Sequence, residues 1–298
     1  MERIQEAIEK ARRERQGNIG STSSSDSEAK TSELSPEINN ESSAGETAST
    51  SAIVSKPAEQ NAIPENTGSV RVKYSQTRTV KLDDDELKDR RIVAGFAHDP
   101  RSEPYRQLRG QILNKFRKNN WQTLAITSPN SGGGRTLTAM NLAISLSLEV
   151  NQTVLLVDLD LRQPGVANCI GVDDIEYGIV DYVNGTQSLE NILIHPGFER
   201  LVLLPGTPQG AFTSEILSSP EMKAVKDELV ARYPGRLIIF DLPAVLSHDD
   251  ALVFAPGCDA TLMVIEEGGT KKKEIERAYQ LLEGCNIIGS VLNKVKYL

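Results

Sequence analysis

The stretch LAITSPNSGGGRTLTAMNLAISLSL, residues 124–148, decides the fold. An apolar, strand-like run at Leu124–Thr127 enters a turn holding Gly132, Gly133 and Gly134, and leaves into a helical pattern opened by Arg135 and Thr136. A glycine loop between a strand and a helix gathers backbone N–H groups and the positive end of the helix dipole at one place, a cradle for phosphate oxygens. In that geometry Ser131, Gly132, Gly133, Gly134, Arg135, Thr136 and Leu137 border the phosphates, and the Thr136 hydroxyl faces a Mg²⁺ ion. The segment departs from G-x-x-x-x-G-K-[ST], with Pro129 at the first glycine and Arg135 at the lysine. Taken alone it also reads as a simple glycine turn.

The flanking sequence favours the phosphate loop. Strand-like runs at Val154–Asp158, Leu201–Leu204, Leu237–Asp241, Ala260–Ile265 and Ile287–Asn293 alternate with helical patterns at Arg135–Glu149, Ser218–Ala231 and Lys271–Glu283, with another at Glu103–Arg117 before the first strand. This alternation predicts an α/β fold, a P-loop NTPase-like parallel sheet flanked by helices. In open sheets of this kind ligands bind beyond the carboxyl ends of the strands. Two further segments place acids there. VLLVDLDLRQP, residues 154–164, delivers Asp158 and Asp160 on one face at i, i+2, followed by Arg162. LIIFDLP, residues 237–243, ends an apolar strand on Asp241, the form of a Walker B strand whose carboxylate reaches the water shell of Mg²⁺.

Outside this core the composition changes. Residues 1–16 set Met1, Ile4, Ile8 and Ala11 on one stripe of an amphipathic helix, and 17–68 are Ser/Thr-rich with too little apolar surface to offset ordering, a disordered N-terminal arm. Residues 69–100 connect it to a nucleotide-binding domain over 101–298, with an acidic-to-basic helical turn in KLDDDELKDRRIVAG. The net charge of −8 argues against nucleic acid as a partner. No run reaches the ~18 apolar residues of a membrane span, and residues 1–16 lack a secretory apolar core. Cys169, Cys258 and Cys285 lack metal or disulfide spacing, which with the missing leader predicts a cytoplasmic protein.

The order SPNSGGGRT, VDLDLRQP, FDLPAVLSHDDA resembles the three nucleotide motifs of the bacterial tyrosine kinases, a branch of the Min/Par-like P-loop proteins. The match spans about Glu103 to Asn293 and includes EPYRQLR, where Glu103, Arg106 and Arg109 fit an E-x-x-R-x-x-R element that in relatives assembles a ring-type homo-oligomer. The resemblance implies an ATP-dependent tyrosine autokinase regulating exopolysaccharide or capsule synthesis and export, recruited to the inner face of the cell membrane by a chain-length regulator (polysaccharide co-polymerase). It implies catalytic roles for Arg135, Asp158 and Asp160, nucleotide contacts from the glycine loop, Arg162 and Asn293, and metal contacts from Thr136, Asp158 and Asp241.

The sequence departs from the family at three places. Arg135 replaces the loop lysine with a wider, planar cation. Ala244 follows Pro243 where a second proline is usual, and the tail offers Tyr297 as its one acceptor in place of a tyrosine cluster. These departures keep open a nucleotide-gated assembly module without phosphoryl transfer. A Par-like positioning ATPase is a third alternative, opposed by Asn130 at the position of a signature lysine. Tyr105, Tyr177, Tyr182, Tyr233 and Tyr279 read as packing residues, and His248 as a candidate for the rim of the site.

Overall fold

The computed structural model describes residues 77–80, 83–233 and 235–296. The expected N-terminal helix, the linker, Tyr297 and the arm tyrosine Tyr74 lie outside the described residues. The elements begin with β1 (Arg78–Thr79), α1 (Asp84–Asp89), α2 (Glu103–Asn119), β2 (Thr123–Thr127), α3 (Arg135–Ser147) and β3 (Val154–Asp158). Three short helices follow, α4 (Val166–Cys169), α5 (Ile179–Val183) and α6 (Leu189–Ile192), then β4 (Ile194–His195) and β5 (Leu201–Leu204). The remainder comprises α7 (Thr213–Ser218), α8 (Pro220–Arg232), β6 (Leu237–Asp241), α9 (Asp250–Phe254), β7 (Ala260–Glu266), α10 (Lys272–Leu281) and β8 (Ile287–Asn293).

Among the described residues the strands form one eight-stranded sheet in the order β1-β4-β5-β3-β6-β2-β7-β8. Every neighbouring pair is parallel except β4 with β5. The central strands are buried on both faces, so they read as continuous apolar runs. On one face Leu124, Ile126 and Leu156 pack with Ile112 and Phe116 of α2 and with Met140 and Ile144 of α3. On the other, Ala125, Leu155, Val157 and Phe240 pack with Met222 and Leu229 of α8 and with Phe254 of α9.

Helix α3 is buried from Thr138 to Ser147 on all sides, as expected of a helix inside a core. Asn141 lies fully buried within it. Its Oδ1 accepts from the backbone N–H of Val93 (2.8 Å) and Ala94 (3.0 Å), and its Nδ2 donates to the carbonyls of Arg91 (3.1 Å) and Leu137 (3.0 Å). One side chain thus fastens the segment after α1 to the helix that begins at the glycine loop.

The helix expected over Ser218–Ala231 is α8, Pro220–Arg232, and a break at Ser219 separates it from α7. Pro220 has no N–H to continue a helix, and Ser219 before it is extended (φ −65°, ψ 150°). The Ser219 hydroxyl instead accepts from the N–H of Met222 (3.1 Å) and caps α8. Two tyrosines also differ from expectation: Tyr105, Tyr182 and Tyr279 pack against the core, whereas Tyr177 and Tyr233 are 39% and 41% exposed.

Candidate nucleotide and phosphoryl-transfer site

The three sequence motifs meet at the carboxyl ends of β2, β3 and β6. The loop after β2 is pinned to the loop after Asp241: Val245 N–H donates to Ser128 O (2.9 Å), Leu246 N–H to Pro129 O (3.0 Å), and the hydroxyls of Ser131 and Ser247 lie 3.3 Å apart. Gly132 (φ 80°) and Gly134 (φ 83°) hold left-handed backbone that strains any residue with a Cβ. Gly134 is further constrained by Asn293 at the end of β8, whose Nδ2 donates to Gly133 O (3.0 Å) and would lie 2.3 Å from a Cβ added at Gly134. Asn293 therefore braces the loop.

Asp158 and Asp241 occupy paired positions of adjacent parallel strands and are 1% and 0% exposed. Asp158 is committed to the backbone: Oδ2 accepts from Gly165 (2.8 Å) and Val166 (2.9 Å) at the start of α4, and Oδ1 from Asp160 (3.1 Å). Burial, reinforced by Asp241, still lifts its pKa to about 8. Asp241 differs in that neither oxygen accepts a hydrogen bond of normal geometry. Burial raises its pKa to about 7, with Arg135 and the Thr136 side chain pulling downward. A buried carboxylate left in this condition is costly unless a cation joins it. The orphaned Asp241 oxygens, with the Thr136 hydroxyl close by, fit the needs of Mg²⁺, which typically takes one or two carboxylates and completes its shell with phosphate and water.

Arg135 opens α3 and pairs through Nη2 with Asp160 Oδ2, both side chains being nearly buried. Its guanidinium is therefore held by a carboxylate of the neighbouring motif. Arg162, expected from sequence at the nucleotide, is bonded to the segment that follows Asp241: its Nε donates to Asp250 Oδ2 (2.9 Å), while Asp250 Oδ1 accepts from the Thr213 hydroxyl. Asp250 and Thr213 were not singled out by sequence reasoning. The available signal was the second acid of SHDD opening α9 shortly after Asp241. His248, in the same segment, is exposed.

Beside the loop, a cavity of about 560 Å³ is bounded by Gly134, Leu137, Val291 and Asn293 and by Tyr105 and Leu108 of α2. The opposite side of α2 carries the expected motif. Arg106 pairs with Glu103 (2.7 Å) and donates to Ala97 O (3.0 Å). Arg109 turns toward α3, donating to Ser145 O (3.0 Å) and approaching Glu149 (3.3 Å). The three side chains therefore do not form one free face.

No family model matches the chain. The tyrosine-protein kinase YwqD of Bacillus subtilis is 30% identical over 197 residues, covering 65% of this chain and 81% of that protein. The chain belongs to the bacterial tyrosine kinase family. Among solved structures, the VpsO kinase domain matches with a TM-score of 0.59 and 26% identity, covering 72% of this chain and all of that one. The kinase domain of the Escherichia coli tyrosine kinase ETK shares the fold, with a TM-score of 0.64 at 24% identity over 76% of this chain and 92% of that one. These relatives do not favour the Par-like ATPase or the transfer-free module. No helix among the described residues of this family member is long and apolar enough to cross a membrane.

Proposed function

We propose that this family member binds Mg²⁺·ATP at the Gly132–Thr136 loop and transfers the γ-phosphoryl group to tyrosine, regulating exopolysaccharide or capsule synthesis and export. The buried Asp241, which accepts no hydrogen bond of normal geometry among the described residues and lies beside Thr136, is the observation that carries the reading. Thr136 and Asp241 are the groups to hold the metal, with Asp158 behind them as the backbone-bound carboxylate that shapes the turn. Bound Mg²⁺·ATP supplies the phosphoryl group and the charge that neutralises these acids.

The loop N–H groups and the start of α3 orient phosphate oxygens. Arg135 binds phosphate by giving up Asp160, so the two exchange partners. Asp160, once released, is placed to accept the tyrosine proton. Leu137, Asn293 and Tyr105 border the cavity suited to the nucleobase. A ring-type homo-oligomer built through Glu103, Arg106 and Arg109, docked on a membrane chain-length regulator at the inner face of the membrane, completes the proposal.

The test is labelling from γ-phosphate-labelled ATP with Mg²⁺. We expect slow labelling of the native chain, its loss in Asp160→Asn, and a gain of about 10²-fold in Arg135→Lys, the usual scale for one well-placed charge-stabilising donor. Absence of labelling in all three, with nucleotide binding intact, would sink the transfer reading.

A further inference from the structure

The loop Pro205–Phe212 runs along the segment that carries Asp158 and Asp160 and ends on a residue that packing inside the chain does not explain. Gly206 lies so near Asp158 that an added Cβ would come within 3.0 Å of its carbonyl oxygen and 3.5 Å of its carboxyl carbon. Gln209 N–H then donates to Leu161 O (2.7 Å), inside the segment that carries Asp160 and Arg162. At the end of this wall Phe212 is 71% exposed and holds φ 61°, ψ 31°. Left-handed backbone is unfavourable for a bulky residue, and strain of this kind persists only where neighbouring contacts enforce it.

The enforcing contact is the next residue. Thr213 is fully buried and its hydroxyl donates to Asp250, the same carboxylate that accepts from Arg162 Nε at 2.9 Å. One buried acid therefore sets both an exposed aromatic ring and a guanidinium, on two loops that flank the site. Arg162 has no other hydrogen bond or ion pair among the described residues, so its two terminal nitrogens are uncommitted and 30% of the side chain is exposed. A ring surface offers an aromatic partner edge or face, and a free guanidinium fork matches phosphate.

We propose that Phe212 and Arg162 cradle the acceptor tyrosine, Phe212 against its ring and Arg162 on the phosphate it gains, with Asp250 and Thr213 as positioning residues; this rests on the tyrosine-kinase reading of the site. The Asp250 hydrogen bond raises the pKa of Arg162, with Asp249 and Glu215 adding to it, so the cradle has an acidic side. The favoured acceptor is a tyrosine in a basic peptide. The chain's own NKVKYL, residues 293–298, has that character, with two lysines before Tyr297.

The experiment measures fluorescence anisotropy of labelled NKVKYL and of its phosphotyrosine form on the full chain with ADP and Mg²⁺. The native chain should bind both and prefer the phosphorylated peptide. Phe212→Ala should weaken both by about tenfold, the scale of one aromatic contact, and Phe212→Tyr should restore them. Arg162→Ala and Asp250→Asn should abolish the phosphotyrosine preference while leaving the unphosphorylated affinity within about twofold. No peptide binding by the native chain, an unchanged affinity in Phe212→Ala, or a phosphotyrosine preference surviving Arg162→Ala overturns the proposal. Affinity for a fluorescent ATP analogue is measured in parallel on the native chain. Its absence counts against the nucleotide reading and leaves the peptide result to be judged by itself.

Discussion

Asp158 and Asp241 face each other in register across β3 and β6, two buried carboxylates on neighbouring strands. Their pKa values are raised to about 8 and about 7, above the ordinary aspartate range, first by burial. The folded chain therefore holds protons that the unfolded chain releases near pH 4. The pair's contribution to stability is fully present below that pH and is lost as pH rises toward 8. Without nucleotide or Mg²⁺, Asp241→Asn should raise the melting temperature at pH 8 by roughly 4 °C and change it little at pH 5. A shift of equal size at both pH values would show that the pair does not titrate in this way.

Gly134 and Asn293 make the phosphate loop depend on the last strand. Gly134→Ala meets both the left-handed backbone and the Asn293 amide, at a cost of roughly 1–3 kcal/mol and with loss of nucleotide affinity. Adding Asn293→Ala removes the collision and leaves the backbone strain, so it should recover only part of the stability. Urea titration of the two variants separates these contributions, and full recovery would place the whole cost in the collision.

Asn141 ties the segment after α1 to the helix that leaves the loop. Asn141→Ala strands the N–H groups of Val93 and Ala94 in a buried setting, and each stranded donor commonly costs ~1–3 kcal/mol. We expect a loss of about 3 kcal/mol by urea unfolding, larger than for an exposed substitution such as Lys118→Ala. A loss below about 1 kcal/mol would mean that water replaces the amide.

Arg106→Glu tests the assembly face. The Glu103–Arg106 pair is substantially exposed and contributes little to the fold. The variant should therefore melt close to the native temperature while losing oligomer mass in sedimentation. An unaltered mass would remove Arg106 from the interface.

The centre of the sheet was legible because its strands are buried on both faces. Val154–Asp158, Leu201–Leu204 and Leu237–Asp241 read as continuous apolar runs, and their observed limits match; the edge strand Ile287–Asn293, half-buried and interrupted by Gly289 and Ser290, also keeps its expected limits. The two-residue strands β1 and β4 carry no such pattern and went unseen; they exist only as additions to the sheet edge. At the site, the motifs located the loop and the acids but could not divide their labour. That Asp158 is bound by three N–H groups while Asp241 accepts no hydrogen bond of normal geometry among the described residues depends on where the chain turns at Gly165. Likewise the Arg162–Asp250 bond joins positions 88 residues apart, beyond the reach of spacing arguments.

Helix α3 has the phosphate loop at one end, and Arg109 is bonded to its Ser145 carbonyl near the other. Thirteen residues make a rod about 20 Å long. Packed on every side, such a rod moves as a unit or not at all. If Arg135 changes partner as proposed, the change reaches Arg109 as displacement, and the chain would have a mechanical lever between its chemistry and its neighbours.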